Sequence, residues 1–258
     1  MLKVMCPAKI NLTLKVFKKD EITGFHPAES NMQTVSLFDY LTFELTDTGK
    51  IELTGNNGEI EYNENNLIIK AALEFYKKTN LPILGLKIYL EKNIPIAAGL
   101  AGGSTDAAGT IFALNTLHNN ILKKEEIFEI NSKLGSDINF CYFGGKALAK
   151  GKGDNLTPLE FEPFNLTIIK PKNLKISTKL AYETFDNLKE NSNLKNDLEF
   201  AMLPHYKELQ TLHNLGFQMS GSGPSFFILN KTINETLKTP EYEVFENLKA
   251  TKKGVEIV

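Results

Sequence analysis

The sequence predicts an α+β protein built from two domains. Alternating apolar and polar side chains in the first third indicate a sheet, and a strand, a loop of small residues and a helix then follow one another between residues 86 and 117. The pattern of strands and helices restarts after Pro158, where two prolines flank the acidic sequence LEFE. We therefore expect an N-terminal domain of residues 1–158 and a C-terminal domain of residues 159–258.

Strand patterns dominate the start of the chain. Residues 2–17 alternate on either side of Pro7-Ala8-Lys9, which predicts a strand, an interruption and a second strand. A polar, turn-rich stretch follows at residues 18–31, and the segments TVSLFDYLTFEL and KIELTG then predict two further strands. The first third of the protein is therefore expected to form mostly sheet.

Helical patterns follow. Residues 66–78 have apolar side chains at helical spacing, with Asn65 or Asn66 as the cap. Apolar side chains recur at helical spacing again from Ser104 and over residues 123–134. Further elements are predicted along the remaining chain: a hairpin over Asn139–Lys152, a strand at LTIIKP, helices at 178–190 and 196–214, a strand at MSGSGPSFFILN, and an amphipathic helix near 240–250.

Composition narrows the function classes. The 258 residues carry 29 basic and 31 acidic side chains, so the net charge is −2, which argues against a surface that binds nucleic acid. Neither a membrane-spanning run nor a signal peptide is seen, and the two cysteines form no disulfide framework or zinc motif, so a cytoplasmic location is expected. All basic residues are lysines, so any phosphate must be held without a guanidinium group.

The segment PIAAGLAGGSTDAA, residues 95–108, is the strongest candidate for a binding site. Small side chains let a ligand approach the backbone, and the helix that opens at Ser104 directs unpaired N–H groups and its positive dipole end to the same place. The alternative is a tight turn that only packs a strand against a helix. Neither the GK[ST] ending of a P-loop nor G-x-G-x-x-G is present. The segment is thus typical of a different kind of phosphate-binding loop.

Three segments in order resemble the motifs of the GHMP kinases: PAKINL at 7–12, PIAAGLAGGSTDAA at 95–108 and MSGSGPSFF at 219–227. Further segments resemble the members that act on a cytidine-diphosphate-linked alcohol: Gly24-Phe25-His26 before Met32-Gln33-Thr34, Asn66-Leu67-Ile68, Gly135-Ser136-Asp137-Ile138 and Asn196-Asp197-Leu198-Glu199. The resemblance implies an N-terminal mixed-sheet α/β domain that binds ATP, a C-terminal α+β domain, and an active site in the cleft between them. It also implies a place in the non-mevalonate route to isoprenoid precursors.

The same resemblance implies roles for individual residues. Asp137 would be the catalytic base and Lys9 its partner, although a capping aspartate and a solvated lysine are the simpler interpretations of each residue alone. Asn11, Phe25, His26 and Tyr182 would bind the cytidine-linked substrate, and Ser104 would help to hold Mg²⁺. ATP would be bound by residues from three segments: Asn66, Lys92, and Pro95, Ile96, Ala97, Ala98, Gly99, Leu100, Ala101, Gly102, Gly103, Ser104 and Thr105.

The sequence departs from the family pattern at two places. Pro27 to Ser30 look like an insertion beside the expected cytosine pocket, and Ala97, Ala98 and Ala101 stand where glycine is usual. Two alternatives stay open: a GHMP kinase for another acceptor, such as homoserine or mevalonate, or a nucleotide-binding relative without turnover. The expected partners are small molecules alone, and no pattern specifies an oligomeric state.

Overall fold

The structure is a computed structural model that describes residues 1–153, 155–188, 192–231 and 233–258. Twelve strands are assigned in the described part: β1 Leu2–Asn11, β2 Lys15–Val16, β3 Ala28–Leu45, β4 Ile51–Gly55, β5 Leu86–Glu91, β6 Lys146–Gly151, β7 Asn155–Pro158, β8 Asn165–Pro171, β9 Gln218–Met219, β10 Phe226–Leu229, β11 Tyr242–Lys249 and β12 Glu256–Ile257. The α-helices are α1 Leu67–Thr79, α2 Gly102–Leu117, α3 Lys124–Leu134, α4 Ile138–Phe143, α5 Thr178–Asp186, α6 Asp197–Met202 and α7 Lys207–Asn214.

The strands form two sheets. The larger sheet has eight strands with the central order β12-β1-β3-β5-β4, and the smaller one has four strands in the order β11-β8-β10-β9. Only β4 and β5 of these pairs run parallel, which fits a connection through helix α1. The last strand, β12, pairs with β1, so the end of the chain returns to the first sheet. The division of the chain at residue 158 remains a prediction.

Helices cover one face of the larger sheet and form its core. The buried apolar side chains of α1 and α2 pack with those of β1, β3 and β5 in one continuous cluster. A second cluster joins the smaller sheet to α5, α6 and α7, and a third lies between the two sheets and includes Ile10, Ile168 and Phe227. Because the third cluster draws on both halves of the chain, burial of apolar surface holds the two sheets together.

Some of the predicted elements differ from those in the structure. The predicted interruption at Pro7-Ala8-Lys9 is a shift of register within one strand, β1, rather than a break. The predicted helix near 240–250 is the edge strand β11. The predicted hairpin over Asn139–Lys152 begins instead with helix α4, and the predicted helix over 196–214 is split where Pro204 cannot continue it. The helix predicted over 178–190 ends at Asp186, and residues 189 and 190 lie outside the described residues.

The predicted insertion at Pro27 to Ser30 does not form a loop. Residues 28–30 belong to β3, where they pair with β6 along one edge, and Ala28 and Glu29 also pair with β2. They therefore extend the central strand of the larger sheet toward the cavity described below. In the described part of the chain, no helix combines the length and the apolar character needed to cross a bilayer.

Candidate active site

A cavity of about 970 Å³ lies where the two sheets meet, and it collects most of the predicted site residues. The loop and helix start at residues 95–104 line one side of it, apart from Leu100. Lys9, Asn11 and Asp137 line the cavity together with Phe25, His26 and Tyr182. Both halves of the sequence therefore contribute to one site of a size suited to small-molecule ligands.

The loop of residues 95–101 is the one expected to bind phosphate, and we call it the phosphate-binding loop for that reason. It folds through left-handed backbone conformations. Ala97, Gly99 and Ala101 have φ angles of 51°, 74° and 58°. Ala101 is the residue before α2, and no side chain caps the helix there. Within the described residues, no oxygen accepts a hydrogen bond from the amides of Gly99 to Ser104. These N–H groups, with the positive end of the α2 dipole, form a surface that favours an anion.

Other segments hold this loop from behind. The amide of Lys9 in β1 donates to the Leu100 carbonyl at 3.1 Å, and the amide of Ser225 donates to the Ala98 carbonyl at 3.3 Å. The Ser220 hydroxyl donates to the Gly99 carbonyl at 3.0 Å. Since these bonds use loop carbonyls, they leave the loop amides free to face the cavity.

Two residues expected to bind ATP do not line the cavity. Leu100 is 1% exposed and packs in the apolar cluster between the sheets. Thr105 is fully buried, and its amide already donates to the Ala101 carbonyl at 2.9 Å. The side chains of Leu100 and Thr105 serve packing. Because the Thr105 amide is already engaged, we correct the expectation that it binds the phosphates, whereas the Leu100 amide keeps that expectation.

Lys9 and Asp137 lie side by side although they are far apart in the sequence. The Lys9 Nζ atom is 3.4 Å from an Asp137 carboxylate oxygen. The Lys9 side chain is 5% exposed and the Asp137 side chain 35% exposed, so the carboxylate is the member of the pair that solvent or a ligand can reach. Asp137 immediately precedes α4, where the helix dipole favours a negative charge.

Asn11 holds the lysine in place through a chain of hydrogen bonds. The Lys9 ammonium donates to Asn11 Oδ1 at 2.6 Å, and Asn11 Nδ2 donates to the Ser30 hydroxyl at 2.7 Å. That hydroxyl donates in turn to the Thr13 carbonyl at 2.7 Å. Asn11 is 4% exposed, so it orients Lys9 and has little surface to offer a ligand.

The predicted aromatic residues gather at another part of the cavity. The His26 and Tyr182 rings lie 5.2 Å apart with 34° between their planes. His26 Nδ1 is 3.0 Å from the Phe17 carbonyl, and its Nε2 is 3.3 Å from an Asp186 oxygen. Burial raises the pKa of the Tyr182 phenol, and the Asp137 charge adds to this effect. Phe25 is 58% exposed, with the Lys152 ammonium 4.1 Å from its ring centroid.

Asn66 and Lys92 line the cavity, but their polar atoms are engaged by the protein. Asn66 is the cap of α1, where Oδ1 accepts from the Ile68 amide at 2.9 Å and Nδ2 donates to the Glu61 carbonyl at 2.9 Å. The Lys92 ammonium lies 2.6 Å from a carboxylate oxygen of Asp39 and 2.6 Å from one of Asp106. Each side chain would therefore have to give up contacts with the protein before it could bind ATP.

Asp39, Lys92 and Asp106 form a buried cluster in which two pKa values are shifted. Burial raises the pKa of the Asp106 carboxyl to about 8 in spite of the Lys92 ammonium, and the nearby Asp39 charge acts in the same direction as burial. Burial also opposes the charge on Lys92, but the two carboxylates outweigh it and raise the pKa of the ammonium. One ammonium cannot neutralise two buried carboxylates, so we infer that Asp106 carries the proton at neutral pH.

Several residues that support the site were not predicted from the sequence. Asp39 lies in the middle of strand β3 with no motif around it, so no local pattern could have identified it. Asp106 follows Ser104 within the glycine-rich segment, and Ser220 lies in the third motif. Asn196 belongs to a motif, but the motif assigns it no role. Its side chain donates to the carbonyls of Met219 and Gly221, which flank Ser220.

The chain is similar to known proteins in both sequence and fold. Residues 66–145, which include the loop and Asp137, match the family described as GHMP kinases N terminal domain. The solved structure of a 4-(cytidine 5'-diphospho)-2C-methyl-D-erythritol kinase superposes with a TM-score of 0.78 and 28% identity, covering 97% of this chain and 100% of that one. A homoserine kinase from Cytophaga hutchinsonii superposes with a TM-score of 0.70 at 17% identity, covering 100% of this chain and 97% of that one, which shows the fold alone. The fold is therefore that of the GHMP kinases, as predicted.

Two relatives show which family of the GHMP kinases the chain belongs to. A 4-diphosphocytidyl-2-C-methyl-D-erythritol kinase from Prochlorococcus marinus (strain MIT 9312) is 36% identical, over 95% of this chain and 92% of its own length. One from Thermoanaerobacter pseudethanolicus is also 36% identical, over 99% of this chain and 98% of its own length. The chain belongs to the 4-diphosphocytidyl-2-C-methyl-D-erythritol kinase family of the GHMP kinases.

Proposed function

We propose that the protein transfers the γ-phosphoryl group of ATP to the 2-hydroxyl of 4-diphosphocytidyl-2-C-methyl-D-erythritol, in the cytoplasm and in the non-mevalonate route to isoprenoid precursors. The observation that carries this proposal is that the Lys9–Asp137 ion pair lines the same cavity as Gly99 and residues 101–104, whose amides are free. Phosphoryl transfer needs little more from a protein than positioning, charge stabilisation and removal of one proton. Family membership at 36% identity over nearly the full chain supports the choice of acceptor.

The loop amides are the proposed site for the ATP phosphates. Their hydrogen bonds to charged phosphate oxygens contribute roughly 1.5 to 3 kcal/mol each, so a few of them replace the arginines that the chain lacks. Ile60, Leu67 and Leu90 line the cavity beside the start of α2. We assign the adenine ring to this apolar part of the cavity, with Asn66 and Lys92 shaping its wall.

Asp137 is the proposed general base. Its carboxylate is the more exposed member of the ion pair, and it accepts the proton of the acceptor hydroxyl as the oxygen attacks the γ-phosphorus. The Lys9 ammonium keeps this carboxylate ionised and lies where it can stabilise charge on the transferring phosphoryl oxygens. Asn11 fixes the ammonium through a 2.6 Å hydrogen bond, so its role is to position Lys9.

The cytosine ring is assigned to the aromatic part of the cavity. Tyr182 and Phe25 offer faces for stacking, and His26 offers a ring nitrogen for the base edge. His26 Nε2 is engaged by Asp186 in this structure, so substrate binding has to exchange that contact for one with the base. The lysines at positions 19, 152 and 179 also line the cavity and supply positive charge for the substrate diphosphate.

The residues present fit a magnesium ion that enters with ATP. Mg²⁺ prefers oxygen ligands and usually binds one or two protein groups together with substrate phosphates. The Ser104 hydroxyl lines the cavity in the first turn of α2, beside the free amides, and is the proposed protein ligand. When bound, the ion would neutralise charge on the β- and γ-phosphates.

Replacing Asp137 by asparagine tests the proposal. We expect kcat with ATP, Mg²⁺ and the cytidine-linked acceptor to fall by about 10²- to 10⁴-fold, because asparagine cannot take the proton. Binding of ATP, measured by calorimetry without acceptor, should stay within about threefold, since the loop amides are unchanged. Asp47→Asn, at an exposed position outside the cavity lining, is the matched control and should behave as the unmodified protein.

The acceptor is tested separately. The unmodified protein should prefer the cytidine-linked alcohol over homoserine and mevalonate by a large ratio of kcat/KM. Preference for either of the other two would reject the proposed acceptor and leave the kinase chemistry intact. Undiminished turnover by Asp137→Asn would instead remove Asp137 from the mechanism, and absence of turnover with every acceptor would favour a nucleotide-binding protein.

A further inference from the structure

Three buried charged side chains lie next to the two ends of the phosphate-binding loop and come from three different parts of the chain. Asp39 belongs to β3, Lys92 follows β5, and Asp106 lies in α2. The Lys92 Nζ atom is 2.6 Å from an oxygen of each carboxylate, and the three side chains are 4%, 0% and 4% exposed for Lys92, Asp39 and Asp106. We call this group the loop clamp.

Asp39 fixes the start of the loop directly. Its Oδ1 accepts hydrogen bonds from the amides of Asn93 and Ile94 at 2.6 and 2.8 Å. These are the last two residues before Pro95, where the loop begins. The main-chain path into the loop is therefore set by one buried carboxylate, with Oδ2 of the same side chain held by Lys92.

Lys92 connects that start to the end of the loop. Its ammonium donates both to Asp39 and to Asp106, which lies on the first turns of the helix that follows the loop. Gly102, the first residue of α2, has no side chain, and a Cβ atom there would lie 2.8 Å from the Lys92 Nζ atom. The ammonium therefore occupies the space that a side chain at the helix start would need.

The clamp thus joins the two ends of the segment whose amides face the cavity. Buried ion pairs are weak contributors to stability, because apolar side chains of the same volume often serve equally well. Hydrogen bonds between charged groups are more directional than apolar contacts. Among the described residues, the clamp side chains make their hydrogen bonds to the amides of Asn93 and Ile94 or to one another, and only Asp106 Oδ1 is unpaired. The arrangement is suited to setting geometry.

We propose that Asp39 is a positioning residue for the nucleotide, which acts through Lys92 and through the amides of Asn93 and Ile94 to hold both ends of the phosphate-binding loop. This inference rests on the proposed function of the loop. It assigns Lys92 the task of joining the two ends of the loop, with its ammonium engaged by the protein. It also extends the site to Asp39, a strand residue that does not line the cavity.

The test compares ATP affinity with acceptor affinity. In Asp39→Asn, MgATP binding measured by calorimetry on the full chain without acceptor should weaken at least tenfold, and KM for ATP should rise with it. KM for the cytidine-linked acceptor should change less than twofold, because Lys9 and Asp137 are held by other contacts. A purely structural role would lower the active fraction and leave both KM values in place. Lys87→Met, on the exposed side of β5, and Asp47→Asn are the controls.

A double variant separates positioning from folding. Asparagine keeps one acceptor oxygen but places an NH2 group against either the Lys92 ammonium or the Asn93 and Ile94 amides, so Asp39→Asn alone can fold poorly. Asp39→Asn with Lys92→Met removes one carboxylate charge and the ammonium together, and we expect its urea midpoint to recover toward that of the unmodified protein while ATP affinity stays at least tenfold reduced. Unaltered ATP affinity in the folded double variant would overturn the proposal. Because binding is measured without acceptor, the result does not depend on whether the acceptor has been assigned correctly.

Discussion

Replacing Gly99 by alanine is expected to destabilise the protein more than the loss of a left-handed glycine alone would do. Gly99 has φ +74°, and a Cβ atom there would overlap the Ser220 carbonyl oxygen and lie 3.1 Å from the Gly223 amide nitrogen. Both neighbours are backbone atoms, which cannot rotate away as a side chain would. The phosphate-binding loop must therefore shift relative to the 220–225 turn if alanine is to fit.

The magnitude can be built from two parts. Alanine in the left-handed region costs about 1 to 2 kcal/mol, partly offset by about 0.4 to 1 kcal/mol because alanine restricts the unfolded chain. Forcing a methyl group into a filled space costs about 1 to 3 kcal/mol more. We therefore expect the free energy of unfolding to fall by about 1 to 5 kcal/mol in Gly99→Ala.

Gly216 supplies the matched control. It has φ +86°, and nothing lies within 4 Å of the Cβ that alanine would add, so Gly216→Ala contains only the first part. Urea unfolding of both variants, with KM for ATP measured alongside, isolates the contact with Ser220. Should the two variants differ by less than about 0.5 kcal/mol, or should Gly99→Ala keep its KM for ATP, the loop would not be held by close packing against this turn.

Two further predictions concern Asn196, which supports the loop, and the carboxyl group of Asp106. Asn196→Ala should lower the free energy of unfolding, measured with urea, by about 3 to 5 kcal/mol, because it removes the cap of α6 and leaves the Met219 and Gly221 carbonyls without their donor. Asn234→Ala removes an exposed cap and should cost under about 1 kcal/mol in the same assay. The Asp106 pKa of about 8 is raised above the value of about 3.9 expected in an unfolded chain, so its contribution is complete below about pH 4 and is lost as pH rises through 8. The free energy of unfolding measured with urea should fall between about pH 6 and pH 8 by up to about 1.4 kcal/mol per pH unit, and Asp106→Asn should remove this slope. A slope that persists in Asp106→Asn belongs to another group.

The phosphate-binding loop could be predicted from sequence because its signals are local. Small residues between a strand and a helix restrict the backbone whatever surrounds them, and the structure has the strand, the loop and α2 in that order. The elements that were wrong had ambiguous local signals. Residues 242–249 contain apolar side chains at spacings that suit a helix, but pairing with β8 decides their conformation, and no local pattern records that pairing.

The site beyond the loop was predictable only in part, and for a related reason. The proximity of Lys9 and Asp137 followed from family resemblance, since neither residue has a local pattern that indicates the other. Asp39 could not be found in this way, because it lies in the interior of a long strand pattern where a buried carboxylate looks like an exposed polar residue. Contacts between distant segments determine the role of Asp39, and the periodicity of apolar residues in the sequence does not report such contacts.

The absence of arginine connects these observations. An arginine that binds phosphate can adjust to it through a flexible side chain, whereas main-chain amides have only the directions that the backbone gives them. Lys92 cannot make up the difference, because its ammonium is already engaged by the side chains of Asp39 and Asp106. ATP affinity must then depend on how well the backbone of the phosphate-binding loop is held. Asp39 holds the start of the loop directly and its end through Lys92 and Asp106, and Ser220 holds Gly99. Asp39 and Ser220 are for that reason expected to affect ATP binding without touching ATP.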